Sequence, residues 1–313
     1  VSSLQAAGFL LAGVAVIGND ALQTLGTFLA ANRGRTPRVL QAFYLCAVLC
    51  GVLVLGWIRG EGEPSWGRLD QIPLPERFVW VDLLPPLAVL ALTRAGAPVS
   101  TSFLVLTAFA PTSLPGLLQR SLLGYGAALL AGALVYGVVA WLLEKPDEAP
   151  DHPLLWLILQ WIAGGWLWGQ WLIHDLANIY VYLPRHLEVP GLSLSLLALC
   201  AGVCLLLATG GGPIQQLLLS KSHVLDPRSA TLISALYGLI LAGFTAASPQ
   251  PLSTTWIFLG LLAGRELALQ SRHPERPAAE VVVLLGGDLG RAALGLAVSV
   301  AVALVVPVLR QGF

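Results

Sequence analysis

Pro251-Leu252-Ser253-Thr254-Thr255 is a short polar cluster set between two long apolar runs, and Pro98-Val99-Ser100-Thr101-Ser102 repeats it far upstream in the same setting. Each cluster follows an Asp held in an apolar run: Asp20 lies 80 residues before Ser100, and Asp175 lies 78 before Ser253. The apolar arms around the upstream cluster span only about 10 to 15 residues, too few to cross a hydrocarbon core of about 30 Å. That pattern predicts a re-entrant helical hairpin with a polar tip, and residues 229–245 and 256–269 are the arms of a second one. Irregular polar backbone at membrane depth is tolerated only where protein or a water-filled cavity surrounds it. The two tips therefore belong inside a helix bundle.

Outward from the tips, the same order of elements occurs twice. Residues 4–31, 39–58 and 117–143 read as full spans around the first hairpin, and 154–183, 191–208 and 278–309 as full spans around the second. Residues 4–31 exceed the length needed to cross and carry Gly18 near their middle, which predicts either tilt or a break there. The run lacks a basic n-region and holds Asn19-Asp20 at its centre, so it reads as a first span and not as a cleavable signal peptide. Residues 144–153, with three prolines and four acidic residues, read as the linker. The expected organisation is thus a first membrane repeat at 1–143, a linker at 144–153 and a second repeat at 154–313, offset by about 155 residues. Three crossings plus one hairpin per half is an odd count, which inverts the second repeat relative to the first. The fold class predicted is an all-α integral membrane protein of two inverted-topology repeats. Eight basic residues flank one face, Arg33, Arg35 and Arg38 among them, and six flank the other, Arg68 and Arg120 among them; this bias places both termini on the non-cytoplasmic side.

Composition agrees with a membrane chain. Of 313 residues, 56% are hydrophobic and 11% charged, where soluble domains carry about a quarter charged residues, and the mean hydropathy is +0.78. A formal net charge of zero provides no basic stripe to neutralise phosphates, which excludes nucleic acid as a partner. Cys46 and Cys50, and Cys200 and Cys204, form two pairs spaced by four on apolar helices and read as packing. Trp156, Trp161, Trp166, Trp168 and Trp171 recur along one span and read as helix packing. Asp288 and Arg291, three apart in the last span, read as an intrahelical pair.

Buried ionisable residues carry the chemistry. Helical spacing puts Gln23, Thr24 and Thr27 on the face of Asp20, and Asn178 on the face of both His174 and Asp175. An Asp at a helix centre costs at least about 2.5 kcal/mol on insertion scales, so such groups face a polar interior. At the tips, the hydroxyls of Ser100, Thr101, Ser102, Ser253, Thr254 and Thr255 can donate hydrogen bonds. If each second arm starts just after the proline, its free N–H groups also face the tip. The plainer reading is that each Pro-x-Ser-Thr segment N-caps its second arm.

These residues resemble the duplicated signatures of the inorganic phosphate transporter (PiT) family. Asn19-Asp20 followed by Gly26-Thr27, Asp175-Leu176-Ala177-Asn178, and the two Pro-x-Ser-Thr tips look like that family's Asn-Asp-x-Ala-Asn and Pro-Val-Ser-Thr-Thr segments, in order and over nearly the whole chain. Departures are Gln23 in place of an Asn, His174 in place of the Asn before Asp175, and Phe103 and Trp256 where the family often has His. The resemblance implies an oxyanion site at Ser100, Thr101, Ser102, Ser253, Thr254, Thr255, Gln23 and Asn178. It implies cation coupling at Asn19, Asp20, His174 and Asp175, with transient Na⁺ at the two carboxylates and no tightly bound metal. His174, with an ordinary pKa near 6.5, makes H⁺ an alternative driver.

The expectation is a secondary transporter of an inorganic oxyanion, phosphate before sulfate, driven by Na⁺ or H⁺ symport, without a cofactor and with the lipid bilayer as its solvent. A sulfate or other anion permease of the same fold, or a non-transporting membrane subunit with a degenerate site, are the alternatives; monomer or homodimer stays open. An enzyme is not expected. Ser253, His174 and Asp175 supply the residue types of a triad, but adjacent helical residues point about 100° apart and cannot orient one another. No Walker-type loop appears in the sequence.

Overall fold

The computed structural model describes residues 1–95, 99–143, 152–209, 227–272 and 278–311, and all regular structure among them is helical. Most of the predicted linker, the connector after residue 209, and Pro98 lie outside the described residues. So do the side chains of Asp288 and Arg291.

Helix α1 (Ser3–Asn32) begins on a capping box. The Gln5 N–H donates to Ser2 Oγ at 3.2 Å and the Ser2 N–H to Gln5 Oε1 at 2.7 Å, which satisfies two of the helix's free N-terminal donors. It runs unbroken through Gly18 for 30 residues, about 45 Å, so the overlong run is not broken at that glycine. The break falls in the second copy: α6 (Pro153–Asp175) ends at Asp175, and the short α7 (Ala177–Tyr180) follows after Leu176. Between these come α2 (Arg38–Arg59), α3 (Leu84–Arg94), α4 (Thr107–Phe109) and α5 (Leu114–Leu143); after them come α8 (Val189–Ala208), α9 (Pro227–Ala247), α10 (Thr254–Arg272) and α11 (Ala278–Arg310).

The two hairpins differ in length. In the first, α3 has 11 residues and the second arm is a π-helical turn, Ser102–Leu106, running into the three residues of α4. Pro85 and Pro86 stand at its entry and Pro111 at its exit, so proline delimits it at both ends. The second hairpin has arms of 21 and 19 residues, α9 and α10, longer than the 229–245 and 256–269 that the sequence predicts. No proline interrupts either arm after Pro227.

Each first arm lies along the first helix of its own half, α3 on α1 and α9 on α6. Each second arm packs on the last helix of the other half, α4 and its π turn on α11, and α10 on α5. The α5–α10 contact is backbone on backbone. A Cβ on Gly260 would stand 2.3 Å from the Tyr125 carbonyl oxygen, and one on Gly264 2.1 Å from that of Leu129. This small-xxx-small spacing lets membrane helices approach closely where no hydrophobic effect drives them together.

Large apolar side chains project outward from α2, α5, α8 and α11, among them Val39, Phe43, Leu134, Leu194 and Leu304, each more than 60% exposed. On a soluble protein such a surface would aggregate; here it is the lipid-facing belt. Six helices among the described residues are long and apolar enough to cross a membrane: α1, α2, α5, α8, α9 and α11. The chain is a multi-pass membrane protein. α6 falls short of that apolarity because Trp, Gln and His recur along it, yet its C-terminal half is buried.

Two polar segments fold inward. The Asp82 carboxylate, 1% exposed, accepts from the Val79 N–H at 2.9 Å and pairs with Arg310, while the Tyr182 hydroxyl donates to the Asp82 carbonyl at 3.0 Å. That knot ties the base of the first hairpin to the C-terminal end of α11. The loop between α2 and α3, a stretch of Gly, Pro and mixed charge, buries Leu69, Ile72 and Phe78 in the core and carries Arg68 to 2% exposure.

Candidate functional site at the two hairpin tips

The two predicted tips meet at the centre of the bundle, between α1 and the α6–α7 break. All twelve residues predicted to bind anion or cation are buried, Ser100 being the most exposed at 6%. The capping reading of the Pro-x-Ser-Thr segment holds for its first serine. The first serine is the cap: the Phe103 N–H donates to Ser100 Oγ, and the Trp256 N–H to Ser253 Oγ, each at 3.3 Å. The threonine that follows is free to reach the acids. Thr101 Oγ1 donates to Asp20 Oδ2 in a short bond, and Thr254 Oγ1 donates to Asp175 Oδ2 at 2.8 Å.

The halves are also wired across one another. Thr255 Oγ1, on the second tip, lies 3.4 Å from both Asp20 Oδ1 and the Val99 carbonyl of the first tip. Asn19 Nδ2 lies 2.7 Å from that same carbonyl and 2.6 Å from Asp20 Oδ1. From the second half, Asn178 Nδ2 lies within 3.1 Å of Thr101 Oγ1, Ser102 Oγ and Asp175 Oδ1. Gln23 Nε2 approaches Asp20 Oδ1 only to 3.5 Å. Thr24 bonds back to its own helix and Thr27 pairs with Ser234 on α9, at 3.3 and 3.0 Å.

Within this site, two acceptors have no donor among the described residues: Asn19 Oδ1 and Asn178 Oδ1, both buried. A buried amide oxygen without a donor loses its hydration uncompensated. Two such oxygens, two carboxylates and a backbone carbonyl on residues bonded to one another make a set of hard oxygen ligands. The set suits a cation or a proton, whereas the hydroxyls and the N-termini of the second arms suit an anion.

His174 stands apart from this set. Its Nε2 lies 3.0 Å from the Leu241 carbonyl and 2.9 Å from Thr245 Oγ1, so the ring joins α6 to α9 and reaches neither tip. The 100° step between neighbouring helical residues explains the divergence: Asp175 faces the tips, and His174 therefore faces the adjacent arm.

Three residues that sequence reasoning missed support the second tip. Ser121 Oγ on α5 accepts the Ser253 N–H at 2.9 Å, and the Tyr237 hydroxyl on α9 donates to the Thr254 carbonyl at 2.8 Å. Arg68 reaches in from the α2–α3 loop. Its Nη1 donates to the carbonyls of Pro249 and Gln250 at 3.2 and 3.1 Å, and its Nη2 to Thr245 Oγ1 at 3.2 Å. Burial lowers the Arg68 pKa to about 10, the Asp175 carboxylate opposes that shift, and the guanidinium of Arg120 adds to it. Arg68 therefore stays charged at neutral pH, within electrostatic reach of both. Only the apolar residues around it, Trp66, Leu69 and Ile72, hint in sequence that this loop turns inward.

The cysteines lie away from the tips, in the α2–α8 contact, where Cys50 Sγ is 3.7 Å from Cys200 Sγ and Cys46 Sγ 4.0 Å from Cys204 Sγ. Trp168 and Trp171 stack with centroids 4.9 Å apart, and Trp168 Nε1 donates to the Leu45 carbonyl at 3.0 Å. These tryptophans pack helices together, as the sequence predicts.

Two opposed hairpin tips enclosed with two acids by a lipid-facing bundle define a helical membrane protein with a buried polar centre. A solved structure described as "The sodium-dependent phosphate transporter" matches this chain with a TM-score of 0.63, at 14% identity and over 98% of both chains. The likeness is one of fold, over nearly the whole length, and agrees with the fold that the sequence resemblance implies. No protein-family model matches the chain, and no curated protein sequence matches it.

Proposed function

We propose that the chain is a secondary active transporter of an inorganic oxyanion, phosphate before sulfate, coupled to a cation. One observation carries this reading: two buried carboxylates, each bonded to the threonine of a hairpin tip, each accept from a neighbouring buried amide whose oxygen lacks a donor among the described residues. In this reading the halves are inverted repeats, with the site between them where discontinuous helices meet. Asp20, Asp175, Asn19 Oδ1 and Asn178 Oδ1 hold the cation, and the hydroxyls of Ser100, Ser102 and Ser253, which do not donate to a carboxylate, hold the anion. Cation charge beside the tips offsets the repulsion between oxyanion and carboxylates, and that compensation is the coupling.

An all-oxygen ligand set favours Na⁺, as does the name of the structural neighbour. His174 faces α9, so its ring adds no support for H⁺ as the driver. Every site residue is buried, so this is an occluded arrangement, and transport requires the tips to separate toward one side at a time. The test is uptake of labelled phosphate and of labelled sulfate into proteoliposomes, with Na⁺ and H⁺ gradients imposed separately. Na⁺-driven phosphate uptake that disappears in Asp20→Asn and Asp175→Asn is expected; no uptake of either anion under either gradient refutes transport.

A further inference from the structure

An oxyanion entering the site meets two carboxylates, and hydroxyls alone do not balance that charge. The second tip, however, is bracketed by two arginines from outside the predicted site. Arg68 holds the carbonyls of Pro249 and Gln250, the two residues just before the tip. Arg120 stands next to Ser121, which holds the Ser253 N–H of the same tip. The Arg120 Cζ lies 6.0 Å from the centre of the Phe244 ring, and Thr245, the next residue, accepts from Arg68.

Neither guanidinium uses all its donors. Arg68 Nε, and Arg120 Nε and Nη2, are buried without a partner among the described residues. Arg68 forms no direct salt bridge among the described residues: Asp175 is close enough to act on its charge, but the Asp175 oxygens are engaged by Asn178 and Thr254. A buried guanidinium with idle donors and no direct counter-ion is costly. It is also the group best shaped for a tetrahedral oxyanion, which it can grip with two parallel N–H bonds. The two arginines differ in burial. Arg68 is enclosed, whereas Arg120 is part-exposed.

We propose that Arg68 is a fixed cation that positions the transported oxyanion against the second tip, and that Arg120 is the outer station that draws the anion in. The assignment rests on the anion-transport reading above and makes it asymmetric. The oxyanion sits nearer Ser253 than Ser100, and the loop, not the repeats alone, contributes to selectivity.

The experiment measures the half-saturating concentration of inorganic phosphate, and separately of sulfate, from anion-dependent thermal stabilisation of the purified protein and from uptake kinetics in proteoliposomes. Arg68→Gln is expected to raise the half-saturating concentration about tenfold or more while leaving maximal uptake within about threefold, and Arg68→Lys to recover part of the loss. If Arg68→Gln does not fold, Arg120→Gln, at a part-exposed side chain, carries the test. It is expected to raise the half-saturating concentration several-fold and to flatten its dependence on ionic strength. Wild-type-like anion affinity in a folded Arg68→Gln protein, or in Arg120→Gln, overturns the proposal. If the wild type is stabilised by neither anion, the transport reading itself fails. Stabilisation lost in Ser253→Ala but intact in Arg68→Gln removes this inference alone.

Discussion

The two tips are built from nearly the same five residues, yet they are held by different means. The first ends on a one-turn π segment and a three-residue helix, meets α11 through the side chain of Val99, and is fixed mainly by polar bonds to Asn19, Asp20 and Asn178. The second sits on a 19-residue helix in backbone contact with α5 and is braced by Ser121, Tyr237 and Arg68. One motif in two mountings separates two roles that the sequence repeat merges. The first tip depends on the acids it touches, and the second on the helices behind it. The π turn sharpens the contrast, because such turns interrupt regular helical bonding and recur at functional sites.

The largest effect expected is on packing behind the second tip. Gly264→Ala would put a methyl 2.1 Å from the Leu129 carbonyl oxygen, and backbone cannot move aside as a flexible side chain can. A cost of roughly 3 kcal/mol or more follows, read as loss of folded protein after detergent extraction or as a large fall in melting temperature. Gly295→Ala is the matched change behind the first tip. Its new methyl would stand 2.8 Å from Val99 Cγ1, a side-chain atom that can give way, so a cost nearer 1 kcal/mol is expected. Equal effects would mean that the two mountings do not differ.

Next come the threonines. Thr101→Val removes the donor to Asp20 and an acceptor for Asn178, leaving two buried polar groups short of a partner, about 2–3 kcal/mol. Thr254→Val strips one bond from Asp175, about 1–2 kcal/mol, because Thr254 has no comparable second side-chain partner. Melting temperatures of the two variants without anion test the order. A larger loss in Thr254→Val would show that the second tip, too, depends chiefly on its acid.

The sequence resolves the symmetric part of this molecule better than the asymmetric part. Asp20, Asp175, Asn178 and both tips are legible because buried polar residues in apolar runs are costly and here occur twice at matched spacing. His174 is read onto the wrong neighbour: its position is correct, but one helical step turns its ring to α9. Arg68 leaves almost no signal, since a loop of Gly, Pro and mixed charge looks solvated until its apolar residues are seen to enter the core. Ser121 is legible only afterwards. A lone serine in the run Arg120-Ser121-Leu122-Leu123-Gly124 reads as ordinary helix until the Ser253 N–H is seen to end on it.

That bond gives the smallest prediction and the most specific to the comparison. α5 offers the Ser121 hydroxyl to the Ser253 N–H of the second tip, whereas α11 meets the first tip at Gly295, against Val99. The Ser253 N–H is therefore anchored to a neighbouring helix by a side-chain bond that Gly295 cannot supply. Ser121→Ala should cost only about 1 kcal/mol, since it leaves one buried N–H short of a partner. Its local effect should be clearer than its global one. Hydrogen exchange over residues 252–257 should speed up toward the rate of residues 99–104, while exchange in α5 on either side of position 121 stays unchanged. If the second tip keeps its protection in Ser121→Ala, its rigidity comes from the Gly260–Gly264 contact alone. The difference between the mountings would then lie entirely in how closely α10 approaches α5.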